Sequence, residues 1–538
     1  MKKRSLLFIC ILAVCCFALA GCGDKTDDPL KVSCNNGVMV GQAEEGIISF
    51  LGVPYAEAPV GELRWKAPVP AADSDEEIIC DDFGYTALQY EWPTEPASYE
   101  EKSEDCLTLN IWKSEEASDE PKAVMVWFHG GSHAWGGTAD PMYNGENFVK
   151  AHPEVILVTA NYRLGMMSWA DFTRIPGGEE YTDLNLGIRD HLCALEWVQK
   201  NIEQFGGDAG NVTIFGESAG GMSTADLLVS PMSEGLFNKV IIQSGGLTVS
   251  PKSDGTAEAQ EFADVIMEAS GCKTMDELNA LTTEELLALD DEYGLGDYSC
   301  GSYSDGVVIP YEEDLEAAFQ SAADRDIKLM LGANGDEWNY FMTDSDGETN
   351  DEKFENWKAG MDEIWEAYYS DNKDTMDKFY EIQSKDIAEE YAKDENVKDA
   401  LIKSSFITET WRLSHTKIAD MFSDCGGETY MYYWDVPSTS EEYYKSACHA
   451  IELAYVFNNL QDTIYCGDNP DKATAQKAHS AWASFATAGN PSTSEAEWTA
   501  YDSKARDTMM ITLDGWTMQA DPYSEVRKLI IKVGADIL

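Results

Sequence analysis

The chain is predicted to fold as an α/β protein with a mostly parallel central sheet and helices on both faces of that sheet. Short runs of β-branched and aromatic residues alternate with helical segments along most of the 538 residues, as expected where helical crossovers join parallel strands. The run at 122–128 is apolar after its first residue, which is typical of a strand buried on both faces. Residues 212–229 join a short strand to a helix through a glycine-rich turn.

Hydrophobic periodicity places the individual elements along the chain. Residues 31–42 and 46–54 are predicted to pair as antiparallel strands, and further strands are predicted at 104–112, 122–128, 155–162, 212–215, 239–243, 327–333, 429–435 and 509–513. Helices are predicted at 186–204, 219–229, 351–396 and 474–488, and an acidic helical pattern covers 250–291. We interpret the aromatic residues between 357 and 380 as a packing face.

Residues 31–538 contain no linker rich in proline and serine and no internal repeat. The length alone would suggest three or four domains at roughly 150 residues each. Because nothing in the composition divides the chain, we instead predict one α/β domain with helical insertions near 250–291 and 351–424, over the active site.

The first residues have the pattern of an export signal. Lys2, Lys3 and Arg4 precede an apolar run at 6–20, which is short for a transmembrane helix. The run ends in Leu19-Ala-Gly-Cys22, which resembles a bacterial lipoprotein box. We therefore predict a signal peptide at 1–21, lipid attachment at Cys22, a tether at 22–30, and a protein held on the outer face of the bacterial cytoplasmic membrane by this lipid. The alternative is an ordinary cleaved signal peptide in which Cys22 has no role.

The composition is strongly acidic, with 97 acidic and 38 basic residues and a formal charge of −59. Such a surface repels nucleic acid and phosphate-rich ligands, so we expect no nucleic-acid partner. It favours neutral or cationic partners, although the same charge also fits a surface that only maintains solubility.

Cysteines and histidines give no metal-binding pattern. Four of the thirteen cysteines lie within the first 22 residues, and the nine others are an odd number, which leaves a free thiol or an intermolecular bond. The sequence contains no C-x-x-C pair and no HExxH motif. We therefore predict no metal and no cofactor.

The turn after residue 215 reads Gly216-Glu-Ser218-Ala-Gly220. A G-x-S-x-G turn between a strand and a helix is the nucleophile elbow of the α/β-hydrolase fold, in which the serine is held above the sheet. The following helix directs its N-terminal N–H groups toward the charge that develops on a substrate. The five residues alone also fit an ordinary glycine-rich turn, and the strand and helix around them favour Ser218 as a nucleophile.

A serine nucleophile needs a base and a carboxylate, and in α/β-hydrolases the order along the chain is Ser, acid, His. Three histidines follow the elbow, and two of them, His415 and His479, lie inside predicted helices. His449 directly precedes a helical pattern and is the candidate base. Asp336 and Glu337 both stand at the end of a predicted strand, where such folds place catalytic groups, and the residue pattern alone does not choose between them.

A second loop motif follows the predicted central strand. His129-Gly-Gly-Ser132 resembles the HGGG loop whose backbone N–H groups stabilise an oxyanion. Each such donor contributes roughly 3–4 kcal/mol to transition-state stabilisation.

These motifs together resemble the type B carboxylesterase family, which contains the cholinesterases and the bacterial para-nitrobenzyl esterases. The resemblance covers about residues 31–515 and rests on two long signatures and three shorter segments: 205–220, 104–110, Asn161-Tyr-Arg-Leu-Gly165, Ile242-Gln-Ser-Gly245 and Cys448-His-Ala-Ile-Glu452. Ser132 replaces the third glycine of the family's loop, and Trp338 replaces the glycine after the acid.

The resemblance implies a role for each candidate residue. It implies a triad of Ser218 as nucleophile, Glu337 as carboxylate and His449 as base and then acid, and an oxyanion hole formed by the N–H groups of Gly131, Ser132 and Ala219. It further implies that Cys106 is free or bonded to Cys80, since its usual partner is missing, and that Cys272 also lacks its usual partner. Trp92 could match the choline-binding tryptophan of cholinesterases, although a core or surface role suits it better.

The function expected from these observations is hydrolysis of neutral carboxylic esters through an acyl-enzyme. One alternative is a catalytically silent binding or adhesion member of the same fold, which the presence of both Ser218 and His449 disfavours. The other alternative is a choline-ester hydrolase, which rests on the negative charge and on Trp92.

Overall fold

A computed structural model describes residues 28–90, 101–116, 118, 120–253, 255–298, 301–343, 345, 347, 349–440, 444–461 and 466–535. Cys22, Trp92 and Cys300 therefore lie outside the described residues. Within the described ranges, no helix is both long enough and apolar enough to span a membrane.

The described part of the chain contains fourteen strands and twelve α-helices. The strands are β1 (Lys31–Cys34), β2 (Gly37–Val40), β3 (Gln42–Glu44), β4 (Ile47–Pro54), β5 (Glu77–Ile79), β6 (Thr108–Ser114), β7 (Lys122–Phe128), β8 (Val155–Ala160), β9 (Gly207–Glu217), β10 (Lys239–Gln243), β11 (Lys328–Asn334), β12 (Glu428–Trp434), β13 (Asp507–Thr512) and β14 (Gly515–Ala520). The helices are α1 (Glu146–Ala151), α2 (Leu186–Asn201), α3 (Ala219–Val229), α4 (Ala257–Ser270), α5 (Met275–Asn279), α6 (Thr283–Tyr293), α7 (Leu315–Asp324), α8 (Asn350–Gln383), α9 (Glu395–Asp424), α10 (Ile451–Val456), α11 (Lys472–Ala488) and α12 (Ser524–Val533).

Eleven strands form one sheet in the order β14-β13-β12-β11-β10-β9-β7-β8-β6-β4-β3. The seven strands from β13 to β8 in this order run parallel. The strands outside them pair antiparallel. The mostly parallel sheet predicted from the sequence is therefore confirmed.

Both faces of the sheet are covered by core packing. Along β7, Val124, Val126 and Phe128 belong to one apolar cluster, whereas Met125 and Trp127 belong to another. Alternate residues of a strand point to opposite faces, so the two clusters lie on opposite sides of the sheet. A strand buried on both sides carries no polar face, which explains the apolar run in the sequence.

The predicted pairing of residues 31–42 with 46–54 is wrong in its main part. Residues 31–40 fold back on themselves as the β1–β2 hairpin, and β2 pairs with β5 in a separate three-stranded sheet. Of residues 31–42, only those in β3 pair with β4. Asn35, Asn36 and Gly37 interrupt the alternation, and Gly37 has φ +146°, a conformation that glycine adopts readily.

The last strand predicted from the sequence lies at 509–513, and the structure contains two further elements after it. β14 pairs antiparallel with β13, and α12 packs its apolar face, including Val526, Leu529 and Ile530, into a cluster shared with α8 and α9. The aromatic side chains of α8, such as Trp357, lie in the same cluster, as the predicted packing face requires. α4, α5 and α6 account for the helical pattern at 250–291.

Cys80 and Cys106 are both buried free thiols. Of the two alternatives for Cys106, the structure therefore shows the unbonded one. Cys272 is also a free thiol.

Candidate active site

The loops that follow parallel strands bring the candidate residues to one edge of the sheet. β9 ends at Glu217 directly before Ser218, β10 ends at Gln243, and β11 ends at Asn334, three residues before Glu337. The carboxyl ends of neighbouring parallel strands meet at one edge of a sheet, where ligands bind in open α/β folds.

The turn at Ser218 is as sharp as a nucleophile elbow requires. A Cβ atom on Gly216 would lie 2.3 Å from the Gly220 carbonyl oxygen, and one on Gly220 would lie 2.0 Å from the Phe128 carbonyl oxygen. Both contacts are too short for any side chain, so these two positions need glycine. Ser218 itself has φ 55° and ψ −126°, a strained conformation of the kind that clusters at functional sites.

Hydrogen bonds fix this strained serine between a strand and a helix. The Ser218 N–H donates to the Gln243 carbonyl at 2.9 Å, and the Ser218 carbonyl accepts from the Met222 N–H at 2.8 Å. Ser218 is the N-cap of α3, and Ala219 is the first residue of that helix. The Ala219 N–H therefore lacks an acceptor within the helix, as an oxyanion donor requires.

His449 and Glu337 form a buried pair. The His449 Nδ1 atom lies 2.6 Å from Glu337 Oε2, and the side chains are 4% and 0% exposed. Ser244 Oγ and the Asn334 N–H both donate to Glu337 Oε1 at 2.6 Å. Burial alone would raise the pKa of Glu337, but its contact with His449 and these two hydrogen bonds hold that pKa below the ordinary value. Glu337 is therefore an ionised carboxylate that orients the His449 ring.

The structure distinguishes Glu337 from its neighbour Asp336. Desolvation raises the pKa of Asp336 to about 6, and the charges with the largest effect on it are those of Asp435, which raises that pKa, and Arg412, which lowers it. Asp336 therefore belongs to a different cluster of charges from His449.

The two other histidines after the elbow lie in helices, as predicted. His415 is buried in α9, with its Nδ1 atom 2.8 Å from the Trp411 carbonyl oxygen. The Nδ1 atom of His479, in α11, lies 2.7 Å from His152 Nε2.

The glycine loop after β7 contains three successive residues with positive φ. Gly131 has φ +105°, and Ser132 and His133 have φ of 53° and 58°. A Cβ atom on Gly131 would lie 2.0 Å from the Trp135 carbonyl oxygen, so this position needs glycine. Ser132 thus adopts the left-handed conformation of the glycine it replaces, at a cost of roughly 1–2 kcal/mol.

A cavity of about 280 Å³ opens onto these groups. Its lining residues come from the glycine loop, the elbow, the segment after Glu337 and the His449 loop: Gly130, Gly131, Ser132, Trp135, Gly136, Tyr143, Glu217, Ser218, Tyr340, Phe341, Ser345, His449, Ala450 and Leu453. Among the predicted site residues, Ser218, His449, Gly131 and Ser132 line the cavity, whereas Glu337, which contacts His449, and Ala219 are not among the lining residues. No described lining residue is a lysine or an arginine.

The Nε2 atom of His449 accepts no hydrogen bond from Ser218 in this structure, since it has no hydrogen-bond partner among the described residues. It lies 3.1 Å from Glu217 Oε1, but the two atoms do not form a hydrogen bond with each other. Catalytic hydrogen bonds are often long or misaligned before substrate binds. Ser218 and His449 line the same cavity, so the absence of a hydrogen bond between them does not exclude His449 as the base.

Glu217 is a site residue that the sequence analysis did not identify, although it stands inside the elbow motif. Burial raises the pKa of Glu217 to about 8. Burial alone would lower the pKa of His449, but the carboxylates of Glu217 and Glu337 outweigh it and raise that pKa to about 9. The two residues form a coupled buried pair, so their titration belongs to the pair and not to either residue alone.

We expect the Glu217→Gln substitution to move the acid limb of the kcat/KM profile to lower pH. The base must be neutral to accept the serine proton, so kcat/KM rises as pH increases through the pKa of His449. The parent limb should lie above the ordinary histidine value of about 6.5, and loss of the Glu217 charge should lower it. Hydrolysis rates measured from pH 5 to 10 test this, and an unchanged limb in the variant would contradict the coupling.

A second group of missed residues connects the three loops. Glu452 Oε1 accepts from Gln243 Nε2 at 3.0 Å, and Glu452 Oε2 accepts from Asn334 Nδ2 at 2.6 Å. Gln243 also binds the Ser218 N–H through its carbonyl, and Asn334 binds Glu337. Gln243 and Glu452 belong to segments that the sequence analysis noted only for their resemblance, because pairing between distant loops leaves no local pattern.

Comparisons with known proteins agree with this geometry. The model of the family described as "Carboxylesterase family" matches residues 28–528. The chain is 32% identical over 516 residues to the para-nitrobenzyl esterase of Bacillus subtilis (strain 168), covering 92% of this chain and 97% of that protein. It is 30% identical over 493 residues to the liver carboxylesterase of Sus scrofa, covering 84% of this chain and 83% of that protein.

Solved structures show the same relationship. A carboxylesterase of Geobacillus stearothermophilus, solved at pH 6.2, superposes with a TM-score of 0.77 at 29% sequence identity and covers 93% of this chain and 99% of that one. The range matched by the family model, 28–528, includes the sheet and the site described above. The chain therefore belongs to the carboxylesterase family, has the α/β-hydrolase fold and is a carboxylic ester hydrolase.

Proposed function

We propose that this esterase hydrolyses neutral carboxylic esters through an acyl-enzyme on Ser218, with His449 and Glu337 completing the triad. The observation that carries the proposal is the buried 2.6 Å contact between His449 and Glu337, beside a strained serine that opens onto the same cavity. A nucleophile, a base and a group that orients the base are the parts that acyl transfer requires.

In the first half of the reaction, Ser218 Oγ attacks the ester carbonyl carbon while His449 Nε2 accepts the serine proton. The tetrahedral intermediate carries a negative oxygen, which the N–H groups of Gly131, Ser132 and Ala219 stabilise. Glu337 stabilises the imidazolium that forms. His449 then donates its proton to the leaving alcohol oxygen as the bond to that oxygen breaks, which leaves the acyl group on Ser218.

In the second half, water replaces the alcohol. His449 accepts a proton from the water as its oxygen attacks the acyl carbon, and it returns the proton to Ser218 as the carboxylic acid leaves. The ring remains in place through both halves because Glu337 holds its Nδ1 atom.

The cavity supports an uncharged substrate. Trp135, Tyr143, Tyr340 and Phe341 provide apolar walls, and an anionic ester would meet Glu217 with no lysine or arginine among the described lining residues to pair with it. Burying an unpaired charge is costly. The strongly negative charge of the whole chain acts in the same direction by repelling anions.

A stopped-flow experiment with p-nitrophenyl acetate and p-nitrophenyl butyrate tests this function on protein that lacks residues 1–22. We expect a burst of nitrophenol followed by steady turnover, because acyl-enzyme accumulates when deacylation is slower than acylation. Absence of turnover above a Ser218→Ala variant would defeat the proposal. Rates on acetylthiocholine and on a neutral thioester with the same acyl group would separate the choline-ester alternative.

We also propose that the protein is exported and held at the membrane by lipid on Cys22. The support is the sequence alone: a basic start, an apolar run at 6–20 and the Leu19-Ala-Gly-Cys22 segment. Two acyl chains would anchor the protein stably, since each buried CH₂ contributes about 0.8 kcal/mol. In bacterial cells, Cys22→Ala should move the protein from the membrane fraction to the soluble fraction, and unchanged fractionation would contradict the anchor.

A further inference from the structure

Arg412, on α9, contacts the loop that carries Glu337. Its side chain is 5% exposed, and Nη1 donates to Glu409 Oε1 at 2.7 Å. Nη2 donates to the Gly335 carbonyl oxygen at 3.3 Å and lies 3.4 Å from Asp435 Oδ1. A buried guanidinium thus joins α9 to the main chain two residues before Glu337.

Two aromatic rings hold this guanidinium in place. Its central carbon lies 4.9 Å from the ring centre of Tyr433, on β12, and 4.3 Å from that of Tyr523. Tyr523 directly precedes α12, and its hydroxyl donates to Asp435 Oδ2 at 2.9 Å. Arg412 therefore links the acid-bearing loop to β12 and to the C-terminal segment, using the planar geometry that lysine lacks.

Main-chain hydrogen bonds hold the acid-bearing loop on its other sides. The Gly335 N–H donates to the Trp434 carbonyl at 2.8 Å, and the Asp336 N–H donates to the Ala447 carbonyl at 2.9 Å. The Glu337 carbonyl accepts from the His449 N–H at 3.3 Å. Arg412 is the side chain that holds the Gly335 carbonyl, so a shift of this carbonyl would change the direction of Glu337.

The residue next to Arg412 contacts the other half of the buried pair. The ring of Trp411 lies 5.1 Å from the His449 ring and 5.6 Å from the Trp338 ring, centre to centre. Successive residues of one helix thus touch the His449 ring and the loop of Glu337. This arrangement couples the position of α9 to the alignment of the pair.

Stability alone is a weak reason for such a cluster. A buried arginine with two carboxylates pays a large desolvation cost, and well-packed apolar residues often give equal or greater stability. We propose that Arg412 is a positioning residue: it fixes the Gly335 carbonyl and thereby aims Glu337 at His449. This inference rests on the triad roles proposed above.

The test compares Arg412→Lys with the parent, using p-nitrophenyl acetate and active sites counted by organophosphate labelling. Lysine keeps the positive charge but lacks the planar guanidinium, so it loses the paired N–H donors and the stacking on Tyr433 and Tyr523. Misplacement of a catalytic group by about 1 Å costs roughly 10²-fold, so we expect a kcat decrease of that order with little change in KM. The acid limb of the pH profile should also move toward 6.5, because Glu337 would raise the pKa of His449 less.

Two further variants make the result interpretable. Tyr523→Phe keeps the ring but loses the hydroxyl bond to Asp435, and should change kcat and the acid limb in the same directions by less. Arg506→Lys is the control: Arg506 Nη2 lies 2.8 Å from Asp420 Oδ2, away from the acid-bearing loop, so this variant should lower the melting temperature and keep the parent kcat per active site.

The inference is overturned if folded Arg412→Lys retains the parent kcat per active site and the parent acid limb. If Arg412→Lys does not fold, parent values of both quantities in Tyr523→Phe overturn it. A parent enzyme without turnover would instead defeat the proposed function, so the two failures are distinguishable.

Discussion

Ser218→Ala is expected to lower kcat for p-nitrophenyl acetate by about 10⁵- to 10⁶-fold, the scale seen when a triad nucleophile is removed. The variant keeps the cavity and the oxyanion donors, so a residual rate above water, roughly 10³–10⁴-fold, should remain. Steady-state measurements at enzyme concentrations high enough to detect this residual rate check the prediction.

A second serine provides the matched control for this loss. Ser233 is fully buried near the end of α3, and its hydroxyl donates to the Ser230 carbonyl at 2.9 Å. It is not among the residues that line the cavity. Ser233→Ala should retain the parent kcat, and comparable losses in the two variants would show that disruption of the fold, and not loss of the nucleophile, is the cause.

Glu337→Gln is expected to lower kcat by about 10⁴-fold, the size of the effect when an amide replaces the carboxylate of a serine triad. The neutral amide cannot stabilise the His449 imidazolium, and it can hold the wrong tautomer of the ring. The variant should also lower the raised pKa of His449, since Glu337 is one of the carboxylates responsible. Steady-state kinetics and a pH–rate profile measure both effects.

Asp336 provides a control that distinguishes a specific role of Glu337 from a general effect of removing a negative charge. Asp336 is partly buried, with a pKa raised by desolvation to about 6, so Asp336→Asn removes a neighbouring carboxyl group from the same loop. It should keep kcat within the same order of magnitude as the parent. A large loss in Asp336→Asn together with a small one in Glu337→Gln would contradict the assignment of the acid.

The choice between Asp336 and Glu337 is one that local sequence patterns do not determine. The sequence predicts the strand β11 and an acid at its end, but the direction of the Glu337 carboxylate depends on Ser244, Asn334 and His449, which lie far apart from one another in the chain. Resemblance to the family selected Glu337, and the 2.6 Å contact to His449 agrees with that choice. Glu217 was missed because a residue inside the elbow gives no sign of the histidine it will meet.

The same distinction holds for the fold. The buried parallel strands were predicted well, with the bounds of β7 and β10 matching the structure, because their apolar runs are set by burial on both faces. The β1–β2 hairpin was missed because a turn in the middle of a strand-like run is marked only by Asn36 and Gly37. The sequence prediction ended at residue 513 and therefore left out β14 and α12, although Val526, Leu529 and Ile530 recur at the spacing of one helix face.

Covalent labelling tests the central claim most directly. The protein would be treated with an organophosphate ester, diethyl p-nitrophenyl phosphate, until esterase activity is lost, then digested and analysed by mass spectrometry. We predict one diethylphosphoryl group per chain, on the peptide that contains Ser218, with no label in Ser218→Ala. Loss of activity with the label on a different residue, or persistent activity in Ser218→Ala, would contradict the account.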